Sequence, residues 1–165
     1  MDLGVGSGCL VISILNERPF AKAVGVDMSS AALHIASKNK ARHKMEARLE
    51  LALGDLFSPL SNDQQFDLIV SNPPYIESAE IPGLPPEVVQ FEPLQALDGG
   101  EDGLEFYRRI VKESPLYLKP GGLLALEIGW AQARDVLRLL GPQWENAQSV
   151  PDLEGRDRVI LAYLK

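Results

Sequence analysis

The chain has 165 residues, 45% of them apolar and 24% charged, which suits one soluble domain large enough to bury a real core. A formal charge of −7 speaks against a broad nucleic-acid footprint, and a single cysteine, Cys9, excludes an intramolecular disulfide framework and fits a reducing, cytoplasmic setting. Two histidines beside that cysteine make a zinc site unexpected, and neither a membrane span nor a signal peptide with its cleavage site is evident.

Met1-Asp2-Leu3 runs straight into Gly4-Val5-Gly6-Ser7-Gly8. The strand feeding this glycine loop is therefore expected to be truncated, or the chain to be a piece of a longer protein. A helix over Cys9 to Leu15, apolar nearly all round, stops ahead of Pro19. Ala23 to Asp27 reads as a second strand ending in an acid. Ser29 or Ser30 caps a helix running to about Lys44, whose basic end (Lys38, Lys40, Arg42, His43, Lys44) complements the helix dipole better than it makes an RNA patch.

Leu49 to Leu53 alternates into a third strand, followed by Gly54-Asp55-Leu56-Phe57. Phe66 to Val70 is a short apolar run that delivers Ser71-Asn72-Pro73-Pro74-Tyr75. Two consecutive prolines end the ladder and stiffen the strand exit. Residues 77–103 hold Pro82, Pro85, Pro86 and Pro93 with little periodicity, and read as a long loop whose apolar content favours docking. A helix from about Leu104 to Leu118 ends in a Pro120-Gly121-Gly122 turn. A strand over Leu123 to Ile128, a helix over Trp130 to Leu140, a turn at residues 152–156 and a last strand over Arg158 to Leu164 follow.

Strands alternating with helices imply an α/β fold with a doubly wound, mostly parallel sheet over residues 1–165 as one domain. Right-handed crossovers place the loops after each strand along one edge, so Gly4 to Gly8, Asp27, Asp55 and Asn72 gather there.

The glycine loop by itself also fits a dinucleotide site, with Asp27 about 20 residues on for ribose hydroxyls. Its G-x-G-x-G spacing and the acid Asp2 just ahead instead resemble the first motif of class I S-adenosylmethionine (SAM) methyltransferases. In those, the acid serves the amino end of the methionine moiety and a residue at the place of Asp55 contacts the adenine amino group. Asn72-Pro73-Pro74-Tyr75 fits methyl transfer to a planar NH₂ group. The Asn72 side-chain oxygen and the Pro73 carbonyl are two acceptors for its two hydrogens, fixed by the prolines, and Tyr75 can stack on the planar group.

The chain further resembles the HemK family, the release factor glutamine N5-methyltransferases. The match runs through Asp2 to Cys9, Asp67 to Ile76, Phe91-Glu92-Pro93, Ala96 to Leu104, Glu127-Ile128-Gly129 with Gln132, and Gly155 to Arg158. The resemblance implies a seven-stranded Rossmann-like methyltransferase domain, SAM as cofactor, and methylation of the Gly-Gly-Gln glutamine of a peptide chain release factor. By the same resemblance Asn72, Pro73 and Tyr75 are catalytic. Asp2, Gly4, Gly6, Gly8, Asp27, Asp55 and Asn72 hold SAM, and Asn72, Pro73, Pro74, Tyr75, Glu92 and Pro93 meet the substrate. The expectations include a monomer, no metal, no membrane and no direct nucleic-acid binding. A short first strand also predicts marginal stability or weak activity. Three rivals stay open: a nucleic-acid amino methyltransferase, a ribosomal-protein glutamine methyltransferase, and a SAM-binding or docking domain without catalysis.

Overall fold

The computed structural model describes residues 1–91 and 93–165. Among these residues seven strands form one sheet: β1 (Asp2–Leu3), β2 (Ala23–Asp27), β3 (Leu49–Leu53), β4 (Phe66–Ser71), β5 (Leu118–Glu127), β6 (Trp144–Pro151) and β7 (Asp157–Leu164). Their order is β3-β2-β1-β4-β5-β7-β6. The first five pair in parallel, β7 runs antiparallel to β5, and β6 runs antiparallel to β7. This is the α/β doubly wound, mostly parallel sheet that the sequence predicts.

β1 is only two residues long, yet it sits mid-sheet, with Asp2 between Gly25 and Val70 and Leu3 between Val26 and Ser71. The chain reverses its direction of strand addition here: β2 and β3 build outward on one side, β4 and β5 on the other. That reversal opens a crevice at the carboxyl ends of β1 and β4, where ligands settle in open α/β sheets.

Among the described residues there are six helices: α1 (Cys9–Glu17), α2 (Ser30–Arg42), α3 (Pro86–Phe91), α4 (Leu94–Leu97), α5 (Glu105–Glu113) and α6 (Ala133–Leu139). Val11, Ile12 and Leu15 of α1 close an apolar cluster with Val5, Met45 and Leu49. Tyr107, Ile110 and Val111 of α5 and Ala133 and Val136 of α6 join the larger cluster with Leu3, Ile69, Leu124 and Ile160. The Ser29 side chain accepts from the Ala32 amide at 3.2 Å, so Ser29 is the cap of α2.

Several boundaries differ from the sequence reading. Residues 77–103 are not structureless: a 3₁₀ turn over Ile81–Gly83 is followed by α3 and α4. Pro86 occupies the first position of α3, where a missing N–H costs nothing. The helix expected to reach Leu118 ends at Glu113, with Pro115 inside a 3₁₀ turn over Ser114–Leu116. β5 already begins at Leu118 and passes through Pro120 to Gly122; a register shift between Phe66 and Leu68 absorbs the extra residues. The helix expected from Trp130 starts at Ala133. β6 has no counterpart in the sequence pattern: it is a polar edge strand anchored by the buried Trp144.

Candidate active site

The glycine loop leaves β1 with positive φ at Gly4 (70°), Gly6 (53°) and Gly8 (82°), backbone that side-chain-bearing residues rarely take. The Gly4 and Val5 amides both donate to the Val26 carbonyl at 2.9 Å, bending the loop over the end of β2. Asp27 then fastens it: Oδ2 accepts from the Gly6 amide at 2.8 Å and Oδ1 from the Ser29 amide at 2.8 Å. Each carboxylate oxygen keeps further acceptor capacity, and Asp27 lines the crevice.

Asp2 is a different kind of acid. It is 2% exposed, and its Oδ2 has no hydrogen-bond partner among the described residues. Burial pushes its carboxyl up to about 7.

Two cavities meet where these loops face Asn72. One, about 350 Å³, is lined by Gly6, Asp27, Gly54, Asp55, Pro74, Pro93 and Phe106 among others. The second, about 500 Å³, is lined by Asp2, Val5, Cys9, Tyr75 and Ile76 among others. Gly4, Gly6, Ser7, Asn72, Pro73 and Ala96 border both. Both volumes suit a small organic ligand.

β4 delivers the Asn72 loop to this junction. Ser71, buried at the strand end, donates its hydroxyl to the Leu3 carbonyl at 2.8 Å and ties β4 to β1. Asn72 is exposed, Pro73 buried, and Pro74 and Tyr75 half-buried, with Tyr75 packed against the main core. The next residues are clamped from outside. The Ile76 amide donates to Leu97 at 3.0 Å, the Gly99 amide to Ile76 at 2.8 Å, and Gln132 Nε2 to the Tyr75 carbonyl at 3.0 Å.

Of the sequence-predicted residues, Asp2, Gly4, Gly6, Asp27, Asp55, Asn72, Pro73, Pro74, Tyr75 and Pro93 line one or both cavities. Gly8 stands apart from both linings, as the left-handed residue ahead of α1. Glu92 lies outside the described residues. Asp55 is half-exposed and already paired, with Arg109 Nη2 at 2.6 Å from Oδ2. Sequence reasoning gave no role to Arg109, to Phe106 beneath it, or to the clamp at Gln132. The Arg109–Asp55 and Gln132–Tyr75 bonds act across more than 50 residues of chain, where local patterning carries no signal. Among the described residues no cluster of His, Cys, Asp and Glu is arranged to hold a metal, and no helix is long and apolar enough to cross a membrane.

The family model described as "Methyltransferase small domain" matches residues 1–83, just over half of the chain. The chain belongs to that family. A relative from Geobacter sulfurreducens, named release factor glutamine methyltransferase, is 48% identical over 97% of this chain and 56% of its own length. The methyltransferase domain thus spans little more than half of the curated relatives it matches. A methyltransferase structure from Pyrococcus furiosus superimposes with a TM-score of 0.71 at 17% identity, covering 100% of this chain and 74% of that one. An RNA methyltransferase from Salinibacter ruber, in complex with S-adenosyl-L-homocysteine, does so at 0.59 and 18% identity, covering 99% and 78%. Both carry the class I methyltransferase fold seen in this domain.

Proposed function

We propose that this methyltransferase domain transfers a methyl group from SAM to the side-chain amide nitrogen of a protein glutamine, in the Gly-Gly-Gln loop of a peptide chain release factor. The observation that carries the reading is Asn72-Pro73 at the border of both cavities, two acceptors on a proline-stiffened strand exit beside the loops of Asp2, Asp27 and Asp55.

The residues present fit SAM. The partnerless Oδ2 of buried Asp2 is a counter-charge for an amino group, Asp27 has acceptor capacity left for ribose hydroxyls, and the apolar wall at Leu56 and Phe106 suits a planar base near Asp55. SAM supplies an electrophilic methyl group when bound. The chain's own task is then to hold the nucleophile. An amide nitrogen attacks poorly because its lone pair is delocalised into the carbonyl. Asn72 Oδ1 and the Pro73 carbonyl each accept one amide hydrogen, which turns the nitrogen toward the bound donor and favours its pyramidal geometry. Tyr75 offers a flat face to the planar group, and the prolines keep the acceptors in place.

The relatives named release factor glutamine methyltransferase support a glutamine over a nucleobase, and the net charge of −7 agrees. Labelled SAM incubated with the domain and, separately, with a release factor, a ribosomal protein fraction, and RNA and DNA tests this. Mass spectrometry should place the label on the Gly-Gly-Gln glutamine; label on nucleic acid alone overturns the proposal.

A further inference from the structure

We infer that Gln132 is a positioning residue for the Asn72 clamp, an inference that rests on the amide-methylation reading. Gln132 sits one residue ahead of α6, and its side-chain amide uses both ends. Oε1 accepts from the Gly129 amide at 3.0 Å, while Nε2 donates to the Tyr75 carbonyl at 3.0 Å and to the Gly103 carbonyl at 3.3 Å. One side chain thus joins three loops: the exit of β4, the exit of β5 and the approach to α5.

Its own backbone is anchored. The Gln132 amide donates to Gly129, and its carbonyl accepts from Asp135 and Val136, at 2.9–3.0 Å. Ala133 and Val136 behind it are buried in the main core. Among the described residues, no other side chain hydrogen-bonds any of residues 72–75.

The path from Gln132 to the acceptors is short and stiff. Pro73 and Pro74 fix two successive φ angles, so a shift at the Tyr75 carbonyl passes back to Asn72 with little absorption. The loop lies against backbone from the other side as well: a Cβ at Gly99 would stand 2.7 Å from the Tyr75 Cα and 2.9 Å from the Pro74 carbonyl oxygen. With one wall incompressible, the hydrogen bond from Gln132 sets where the loop rests. The residue type is also constrained. Two carbonyls need donors and one amide needs an acceptor, which a carboxamide satisfies and a carboxylate does not.

Three variants of the full chain test this: Gln132→Ala, Gln132→Met and Gln132→Glu. Amide hydrogen exchange needs no substrate and separates this inference from the glutamine reading. It should rise at the Ile76 amide, which bonds the Leu97 carbonyl, and across residues 99–103 in the Ala and Met variants, with β2, β3 and β7 still protected. With a release factor as substrate and saturating SAM, kcat should fall about tenfold to a hundredfold, as for a misplaced reacting group, with SAM affinity within about threefold. Gln132→Glu adds a readout that loss of packing does not produce. Its protonated form can donate to Tyr75 and its ionised form cannot, so its turnover relative to the parent should climb as pH falls from 8 to 6, and that of Gln132→Met should not. Unchanged exchange at Ile76, or parallel pH profiles for the Glu and Met variants, overturns the inference. Failure of the parent chain to methylate any release factor removes the glutamine reading instead and leaves the exchange measurement to decide the role of Gln132.

Discussion

Arg109 Nη2 lies 2.6 Å from Asp55 Oδ2, so the acid that follows β3 is held by a cation on α5. Both side chains are more than a third exposed, and Arg109 also rests over the Phe106 ring with its guanidinium carbon 5.8 Å from the centroid. Such a pair contributes at most about 1 kcal/mol to stability once solvent screening is counted. Its larger effect is on which partners Asp55 can take. Arg109→Ala should shift the unfolding midpoint little and tighten SAM binding roughly two- to fivefold by releasing the carboxylate. Asp55→Ala should weaken it. Isothermal titration checks both, and weaker binding in Arg109→Ala would mean that the cation itself contacts the cofactor.

Asn72→Ala should separate binding from chemistry. The side chain is assigned to the acceptor amide, so turnover should fall about 10²- to 10³-fold, as for loss of a fixed transition-state hydrogen bond. SAM affinity should stay within about threefold. Equal losses in both would place Asn72 on the cofactor instead.

Asp2 makes stability and binding depend on pH. Its folded carboxyl titrates near 7 against an ordinary value of 3.8, so between those values the native state holds a proton that the unfolded chain has released. Stability from this group is therefore full in acid and is lost as pH rises through that window. The decline should run from about pH 4 to about pH 7. Urea unfolding of the parent and of Asp2→Asn should show a gap that widens across that range, with the Asn form gaining. An ammonium placed beside Asp2 would restore its ionisation, so SAM binding near pH 6.5 should release a proton, measurable by calorimetry in buffers of different ionisation enthalpy.

Gly103 tests how tightly the loop over Tyr75 is packed. Its φ is +67°, and a Cβ there would collide with the Tyr75 carbonyl oxygen and stand 2.7 Å from Gln132 Nε2. Gly103→Ala should cost at least about 2 kcal/mol by urea unfolding, from strained backbone and overpacking together. Gly155, equally left-handed but with open space at its Cβ, should lose only about 1 kcal/mol on the same change.

The central strands and the glycine loop were legible because their signals are local. Ala23 to Asp27 and Leu49 to Leu53 are short β-favouring runs bounded by breakers, and the strands fall where those runs do. β6 escaped because only Trp144 of its eight residues is buried; a strand on the sheet edge needs no apolar alternation. Pro120-Gly121-Gly122 reads as a turn, yet β5 begins before it, since its pairing with β4 tolerates a shift in register. At the site, Asp27 and Asn72 could be named from motif and topology. The Arg109–Asp55 and Gln132–Tyr75 contacts could not, because each joins elements brought together only by the finished sheet.

The two-residue β1 pairs with β2 across 23 positions and with β4 across 68, from Asp2 to Gly25 and to Val70. Those ladders demand large loop closures before they return any stabilisation, and contacts so distant in sequence slow a folding reaction. The loops that form the site hang from this pair of strands. They should appear in the last and slowest kinetic phase of refolding, and the amides of Leu3 and Val70 should exchange only through global unfolding. A population that refolds with native helix content but does not yet bind SAM would be the species in which that central seam is still open.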